Sequence, residues 1–357
     1  MDKTIKVLIV EDSPVARELL EHILTRDEKI KVIGNASSGE EAILALGRLK
    51  PDVITMDIHL PEMDGFETTR LIMETHPLPI VIVTGTSRGK DVSMAMNAIE
   101  AGALAIVQKP LGIGHPDYEA EAVKLVQTVK LMSEVRVVRR WARYPQEAQV
   151  QARTKIKLDS PAEIKIVAIG ASTGGPPAIQ KILSGLPKKF PVPVLIVQHI
   201  AEGFIQGFAD WLGQTSSLPV HVALHGEYCL PGHVYIAPDL LQMKVKMDGR
   251  IWLSKDDNEN GLCPSVSFLF RSVAEEFGNN AAGVLLTGMG KDGAKELKTM
   301  KEKGATTFAQ DKESSVIHGM PGEAIDLNAA IYVLSPEKIA VVLADLVDNC
   351  RKKVVVN

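Results

Sequence analysis

The sequence predicts two α/β domains, each built on a mainly parallel sheet, and three observations support this. The chain has 357 residues, which is more than one ordinary domain usually contains. Short apolar segments alternate with amphipathic segments in two series, one from residue 5 to about 136 and one from residue 164 onward. Such alternation is typical of parallel strands joined by helical crossovers. Between the series, residues 136–162 lack apolar periodicity and include Pro145 and Pro161, which predicts a linker.

The first series predicts a five-stranded parallel, flavodoxin-like domain over residues 1–135. Its strands are short and apolar, as expected for strands that are covered on both faces. The predicted strands are residues 5–10, 31–36, 52–57, 80–84 and 105–107, and the helices between and after them are 15–24, 40–49, 68–74, 92–101 and 118–138.

The second series predicts a larger, doubly wound and mostly parallel sheet over residues 163–350. Its strands are 164–169, 192–198, 282–286 and 305–309, and its helices are 177–186, 204–211, 265–277, 293–303 and 336–347. Three further strand-like runs, at 234–236, 241–247 and 251–253, surround the turn signal Asp248-Gly249. This pattern predicts an antiparallel hairpin region within the second domain.

Composition excludes some classes of function. The net charge of −4 gives no reason to expect nucleic acid as the main partner, because phosphate binding favours a basic face. Cys229, Cys263 and Cys350 are too scattered for a zinc site or a disulfide framework, which favours a reducing cytoplasm. The N-terminal residues show no signal region, and no segment approaches the roughly 18 apolar residues that span a membrane. We therefore expect a cytoplasmic protein without direct membrane insertion.

Polar residues that follow strands of the first domain form the first candidate site. Glu11 and Asp12 follow the first strand, Asp57 ends the third, Thr84 ends the fourth and Lys109 follows the fifth. The carboxyl ends of parallel strands meet at one edge of a sheet, where clustered carboxylates need a cation such as Mg²⁺. Asp57 could then accept a phosphoryl group that Thr84 and Lys109 contact. The alternative is a set of solvated loop acids and a surface lysine, but five positions in order favour the site.

The second candidate site begins at a G-x-S-x-G motif that spans residues 170–174. It lies between a predicted strand and a predicted helix, which is the context of a nucleophile elbow, and it places Ser172 at the tip of the turn. The N-terminus of the following helix is expected to supply unpaired amides for an oxyanion. A structural strand-to-helix turn is the main alternative. A dinucleotide loop is disfavoured because it requires glycine at the position of Ser172.

A nucleophilic serine needs a base and an orienting acid. His199 alone among the nine histidines closes an apolar parallel strand of the same domain, whereas His221, His225, His233 and His318 fall in or near the hairpin region or in a loop. Asp292 lies in a glycine-rich loop after a strand, although it could instead cap the helix that begins there. Ser172, His199 and Asp292 form a possible triad, which requires neither a metal nor an organic cofactor.

Residues 5–125 resemble a response-regulator receiver domain. The resemblance rests on Glu11-Asp12-Ser13, on Asp57 within residues 56–65, on Thr84 and on Lys109-Pro110. It implies that Asp57 is the phosphoacceptor, that Glu11 and Asp12 bind Mg²⁺ with it, and that a histidine kinase is a partner. The family usually has Asp at the position of Glu11 and often has an aromatic switch residue at the position of Ile106.

Residues 163–350 resemble the catalytic domain of chemotaxis protein-glutamate methylesterases. The matching segments are residues 169–175, Gln198-His199, 230–238 and 286–293. The resemblance implies Ser172 as nucleophile, His199 as base and Asp292 as orienting acid, with Thr173 and Met289 shaping the oxyanion region. It also implies γ-glutamyl methyl esters on the cytoplasmic helices of chemoreceptors as substrates, and sometimes glutamine by deamidation. Family members often carry basic residues where this chain reads Gly261-Leu262-Cys263.

Together the two resemblances imply an esterase that the unphosphorylated first domain inhibits and that phosphorylation of Asp57 activates. Two alternatives stay open. The second domain could hydrolyse small-molecule esters or amides, or the chain could be an adaptor without catalytic activity, although the complete set of Ser172, His199 and Asp292 argues against an inactive domain.

Overall fold

The computed structural model describes residues 4–85, 89–135, 137, 163–255 and 261–354. The chain divides into two compact units, Met1–Thr154 and Lys155–Asn357. The predicted linker, residues 136–162, lies outside the described residues except for position 137. Among the helices of the described residues, none is both long enough and apolar enough to cross a membrane.

The first unit is the predicted five-stranded parallel sheet with helices between its strands. The strands lie in the order β2-β1-β3-β4-β5, and every neighbouring pair is parallel. This is the flavodoxin-like order, in which ligands bind beyond the carboxyl ends of the central strands. The elements are β1 (Ile5–Val10), α1 (Pro14–Thr25), β2 (Ile30–Ala36), α2 (Gly39–Leu46), β3 (Val53–Met56), α3 (Gly65–Thr75), β4 (Ile80–Thr84), α4 (Gly89–Ala101), β5 (Ala105–Gln108) and α5 (Tyr118–Met132).

The central strands of this unit are apolar because helices cover both of their faces. All four residues of β3 and all five residues of β4 are buried. Serine or aspartate side chains begin three of the helices: Ser13, Ser38 and Asp64 accept hydrogen bonds from amides in the first turns of α1, α2 and α3. The starts of these three helices are therefore encoded locally.

The second unit contains a seven-stranded sheet in the order β14-β13-β12-β6-β7-β9-β8 and a separate antiparallel hairpin, β10-β11. All neighbouring strands of the large sheet are parallel. Its elements, apart from one short 3₁₀ turn, are β6 (Ile166–Ala171), α6 (Gly175–Gly185), β7 (Val194–Gln198), α7 (Ile205–Thr215), β8 (Val220–Val222), β9 (Val234–Ile236), β10 (Gln242–Val245), β11 (Ile251–Ser254), α8 (Val266–Phe277), β12 (Ala281–Leu285), α9 (Ala294–Glu302), β13 (Thr306–Gln310), α10 (Met320–Asp326), β14 (Tyr332–Leu334) and α11 (Pro336–Val354).

The order of strands creates a crevice at the centre of this sheet. The strands β6 and β12 are neighbours at the centre of the sheet. From β6 the chain continues to β7 on one side, and from β12 it continues to β13 on the opposite side, so the two connections leave in opposite directions. Ligands of open α/β sheets bind at such a switch point, beyond the carboxyl ends of the strands. The segments after β6, β7 and β12 carry Ser172, His199 and Asp292.

One part of the predicted hairpin region is wrong. The Asp248-Gly249 turn does join an antiparallel pair, β10 and β11, but β9 belongs to the parallel sheet, where it pairs with β7 and β8. A three-residue apolar strand has too short a pattern to distinguish an edge hairpin from a buried parallel strand. The three-residue strands β8 and β14 were not predicted for the same reason, and the seven-residue helix α10 was also not predicted.

Candidate active site and candidate phosphorylation site

Three acidic side chains meet at the carboxyl edge of the first sheet. Val10 and Met56 are paired residues of β1 and β3, so Glu11 and Asp57 follow side by side. Carboxylate oxygens of Glu11, Asp12 and Asp57 all lie within 4.8 Å of one another. Asp12 is exposed, whereas Glu11 and Asp57 are 1% and 4% exposed. This all-oxygen set suits a hard cation such as Mg²⁺, which also retains water and phosphate ligands.

Lys109 holds the two buried carboxylates together. Its Nζ lies 2.7 Å from Glu11 Oε2 and 3.0 Å from Asp57 Oδ2. Burial, together with the nearby Asp57 charge, raises the pKa of Glu11 even though Lys109 opposes the shift. Burial acts to lower the pKa of Lys109, but the two carboxylates outweigh it and raise that pKa. The lysine therefore stays charged and compensates for part of the negative charge at this edge.

The predicted phosphoryl contacts lie at the same edge. Thr84 ends β4, pairs in register with Gln108 and is fully buried, and its hydroxyl has no hydrogen-bond partner within the described residues. A buried hydroxyl without a partner loses free energy, so a ligand oxygen that reached it would be stabilised. Ile106, at the position where an aromatic residue was expected, is half-buried in β5.

The predicted nucleophile lies on a tight turn between β6 and α6. The main-chain carbonyl oxygen of Ser172 accepts a hydrogen bond from the Gly175 amide at 2.8 Å. The main-chain amide of Ser172 donates to Thr287 O at 3.0 Å. Gly174 has a φ of 76°, a left-handed conformation that favours glycine. A side chain at Gly288 would also lie 2.7 Å from Ser172 Cβ. These glycines let the chain turn sharply and leave Ser172 partly exposed at the strand end.

The expectation that α6 itself supplies free amides needs a correction. Of its first three residues, Pro176 and Pro177 have no N–H, and the Gly175 amide already bonds to Ser172. Two candidate amides lie in the adjacent loops instead. Within the described part of the chain, the main-chain N–H groups of Thr173 and Met289 donate no hydrogen bond. Both residues were predicted to shape the oxyanion region; Thr173 is half-buried and the Met289 side chain is 47% exposed.

The structure brings the predicted base next to the predicted acid. Ala171 and Gln198 are paired residues of β6 and β7, so Ser172 and His199 follow side by side on strands about 4.8 Å apart. His199 Nε2 lies 3.0 Å from Asp292 Oδ2. The two groups are close enough for an ion pair, although their alignment does not meet the geometry of a hydrogen bond.

Asp292 does not cap the helix that follows it, although the sequence allowed that role. Gly293 precedes α9 instead, and no side chain caps that helix. The Asp292 carboxylate lies at the N-terminus of α8, where Oδ2 accepts the Val266 amide at 2.7 Å. Oδ1 accepts the Ser265 hydroxyl at 2.9 Å and the Ser267 amide at 3.0 Å. The positive end of α8 therefore stabilises a negative charge that faces His199.

This environment lowers the pKa of the Asp292 carboxyl group. Burial alone raises its pKa, but the contacts with His199 and the hydrogen bonds from Ser267 outweigh burial and lower the pKa to about 2. The side chain is 3% exposed. Asp292 therefore remains ionised at any pH at which the protein is expected to function.

The lowered pKa of Asp292 predicts a pH-dependent contribution to stability. The folded-state pKa lies below the usual 3.8, so the stabilisation is present above about pH 4 and is lost as the pH falls through about 2. The shift corresponds to about 2 kcal/mol. Urea unfolding at about pH 5 and about pH 2.5 should show that the stability difference between wild type and Asp292→Asn shrinks at the lower pH. A difference that stays constant would contradict the assigned environment.

Sequence reasoning missed three residues that build the site. Ser265 and Ser267 bind Asp292 as described above, and the hydroxyl of Ser267 also donates to Glu296 Oε2 at 2.6 Å. Gln198 contacts the main chain of Ser172 and of His199. A serine that precedes a helix is a recognisable N-cap signal, so Ser265 could have been found. Its carboxylate partner, 27 positions later, has no local signal.

The side chains of the other candidate histidines in the second unit make different contacts. His221 and His233 contact each other at 2.9 Å, His225 lies against Trp252, and His318 is near Ser315. Residues 261–263, where basic residues were expected, precede Pro264 and α8, so they lie next to the segment that holds Asp292.

Comparison with family models assigns a family to each unit. Residues 7–115 match the response regulator receiver domain, and residues 167–343 match the CheB methylesterase domain. The two matches cover the candidate phosphorylation site and the candidate active site, respectively, and occur in the order predicted from the sequence.

Relatives match this chain along almost its whole length, across both regions. The chain is 59% identical over 347 residues to the protein-glutamate methylesterase/protein-glutamine glutaminase of Nitrosospira multiformis, covering 96% of this chain and 97% of the relative. It is 57% identical over 344 residues to that of Syntrophus aciditrophicus, covering 96% and 98%. The crystal structure of the Thermotoga maritima CheB methylesterase catalytic domain is 42% identical with a TM-score of 0.49, covering 52% of this chain and all of that one. The chain therefore belongs to the family of protein-glutamate methylesterases that carry a response-regulator receiver domain.

Proposed function

We propose that this protein hydrolyses γ-glutamyl methyl esters on the cytoplasmic helices of chemoreceptors, with Ser172, His199 and Asp292 as its catalytic triad. The observation that carries the proposal is the ion pair between His199 and Asp292 directly beside the turn that bears Ser172. A serine, an imidazole and a buried carboxylate at one sheet edge are the components of acyl transfer through a covalent intermediate.

The position of Asp292 determines which nitrogen of His199 acts as the base. Nε2 faces the carboxylate and carries the proton that an ionised Asp292 attracts. Nδ1 is then the free acceptor for the Ser172 hydroxyl proton. Attack of Oγ on the ester carbonyl releases methanol, protonated by His199, and leaves a glutamyl-serine ester. His199 then deprotonates a water molecule that frees the glutamate.

The same arrangement supports deamidation of glutamine. The relatives are named as both methylesterases and protein-glutamine glutaminases. An amide differs from the ester only in its leaving group, which becomes ammonia and also requires a proton from His199. The unpaired amides of Thr173 and Met289 would stabilise the oxyanion in either reaction.

The function is tested most simply by methanol release from methylated receptor fragments of the same cell. We expect release from the fragments and little hydrolysis of a panel of small-molecule esters and amides with the same acyl group. Efficient turnover of small esters together with inert receptor fragments would favour the alternative class of hydrolase. Release of methanol from neither would contradict an esterase function and favour an adaptor.

For regulation, we propose that a histidine kinase phosphorylates Asp57 and that phosphorylation relieves inhibition of the esterase. Glu11, Asp12 and Asp57 would hold Mg²⁺, which neutralises the phosphoryl oxygens during transfer. The phosphoryl group adds a charge of roughly −1.5 to −2. It would compete for Lys109, which bridges Glu11 and Asp57, and would accept a hydrogen bond from the Thr84 hydroxyl. These changes would bias the first domain toward its non-inhibiting state.

The substitution Asp57→Asn should abolish activation without abolishing basal activity. If phosphorylation stabilises the active state over the inhibited state by about 1.4 kcal/mol, the ratio of the two states changes tenfold. We therefore expect a small-molecule phosphodonor with Mg²⁺ to raise the rate of methanol release by the wild type about tenfold or more. Asp64→Asn is the matched control, because asparagine caps α3 as well as aspartate does. Equal stimulation of wild type and Asp57→Asn would contradict the regulatory proposal.

A further inference from the structure

A buried glutamine links the main chains of the proposed nucleophile and base. Gln198 is the last residue of β7 and is 2% exposed. Its side-chain Nε2 donates one hydrogen to Ser172 O and the other to His199 O, each at 2.8 Å. Both hydrogens of the amide are therefore used at the two residues that must exchange a proton.

These bonds restrain a part of the site that the sheet does not. The ladder between β6 and β7 ends at the bond from the His199 amide to Ala171 O at 2.9 Å. Beyond it the two chains diverge, because Ser172 enters a tight turn and His199 enters a loop. The Gln198 amide connects them again one residue further on. The separation of Ser172 from His199 is therefore restrained by the last bond of the ladder before the strands end and by the Gln198 amide after they end.

The side-chain oxygen of Gln198 indicates that the residue is present for the two hydrogen bonds that its nitrogen donates. Gln198 Oε1 is buried and has no hydrogen-bond partner within the described residues, which costs free energy. A side chain at Gly175 would lie 2.1 Å from this oxygen, so the turn leaves room for it by using glycine. An apolar residue of similar volume would avoid the unpaired oxygen. It could not hold the two carbonyl groups.

We infer that Gln198 is a positioning residue for catalysis, which sets the distance between Ser172 and His199. This inference rests on the proposed function of those two residues. A displacement of about 1 Å between reacting groups can cost about 10²-fold in rate. Replacement of Gln198 should therefore slow the acylation step, while the binding of substrate, which does not involve this buried amide, should be little affected.

The test compares Gln198→Met with Thr307→Val in the full chain. Methionine has a similar volume and lacks the amide. Thr307 is a matched control because it is fully buried in β13 and its hydroxyl also makes two hydrogen bonds, with Ala329 O and the Ile331 amide. We expect Gln198→Met to lower kcat about 10- to 100-fold with KM changed less than about threefold, and to slow labelling of Ser172 by a fluorophosphonate in parallel. Thr307→Val should lose stability but retain kcat.

Three results would overturn the inference: a kcat of Gln198→Met within about twofold of wild type, an equal loss of kcat in both variants, or a loss confined to KM. If Gln198→Met does not fold, Gln198→Asn takes its place, because it keeps an amide that is too short by one methylene to reach both carbonyls. It should then show the same loss of kcat. Ser172→Ala is measured alongside, since wild-type hydrolysis that does not depend on Ser172 would show that the proposed function, rather than the role of Gln198, has failed.

Discussion

Replacement of Ser172 by alanine should lower kcat for methyl ester hydrolysis by about 10⁶-fold, because the acyl-enzyme can no longer form. The loss should appear in kcat rather than in KM, since the hydroxyl contributes to the transition state more than to the binding of the receptor helix. Residual hydrolysis would come from water attacking an ester that the proposed oxyanion amides, those of Thr173 and Met289, still polarise. Methanol release and release of free glutamate side chains should fall together.

Ser184→Ala is the matched control for this substitution. Ser184 lies in α6, the helix that follows the nucleophile, and its hydroxyl bonds to Lys181 O of the same helix at 3.3 Å. Its replacement should leave kcat unchanged. If Ser172→Ala retained more than about a hundredth of the wild-type rate, a serine nucleophile would be the wrong assignment, because loss of such a group costs orders of magnitude more.

The substitution Asp292→Asn should lower kcat by about 10⁴-fold and also destabilise the second unit. Asp292 is surrounded by donors: the amides of Val266 and Ser267, the hydroxyl of Ser265 and Nε2 of His199. Asparagine has one acceptor oxygen, so its NH₂ group must face a donor. If it faced His199, the ring would adopt the tautomer in which Nδ1 carries the proton and cannot accept one from Ser172.

Asp248→Asn controls for the change from aspartate to asparagine. Asp248 is in the turn between β10 and β11, where Asn-Gly is as favourable as Asp-Gly. Its Oδ1 accepts the Arg250 amide, and its Oδ2 forms an exposed ion pair with Arg250 Nε at 3.4 Å, which contributes little to stability. Kinetics and urea unfolding are measured on both variants. A kcat for Asp292→Asn that remained within tenfold of the wild type would show that the carboxylate supports the fold at the N-terminus of α8 without orienting His199.

The positions of the candidate sites were predictable because they follow from strand ends. Residues that follow adjacent parallel strands must meet at one edge of the sheet. To predict that Glu11 lies near Asp57, and Ser172 near His199, it was therefore enough to find the strands and their order. The strands were found because they are continuous apolar runs bounded by polar loops.

The contacts that hold the site in place were not predictable. Asp292 is stabilised by the start of α8, which precedes it in the chain, and no sequence pattern indicates which helix end a distant carboxylate will meet. Gln198 appeared in the sequence as the polar end of a buried strand, and only the structure shows that its amide joins two carbonyl groups. The parallel pairing of β9 depended likewise on tertiary contacts rather than on its three residues.

The central claim is that His199 activates Ser172 at this sheet edge, and covalent labelling with a fluorophosphonate tests it most directly. The reagent captures a serine only when a base increases its nucleophilicity. We predict a single label per chain, located on Ser172 by mass spectrometry, with a labelling rate that falls by orders of magnitude in His199→Gln and in Asp292→Asn. Labelling of another residue, or an unchanged rate in His199→Gln, would contradict the account.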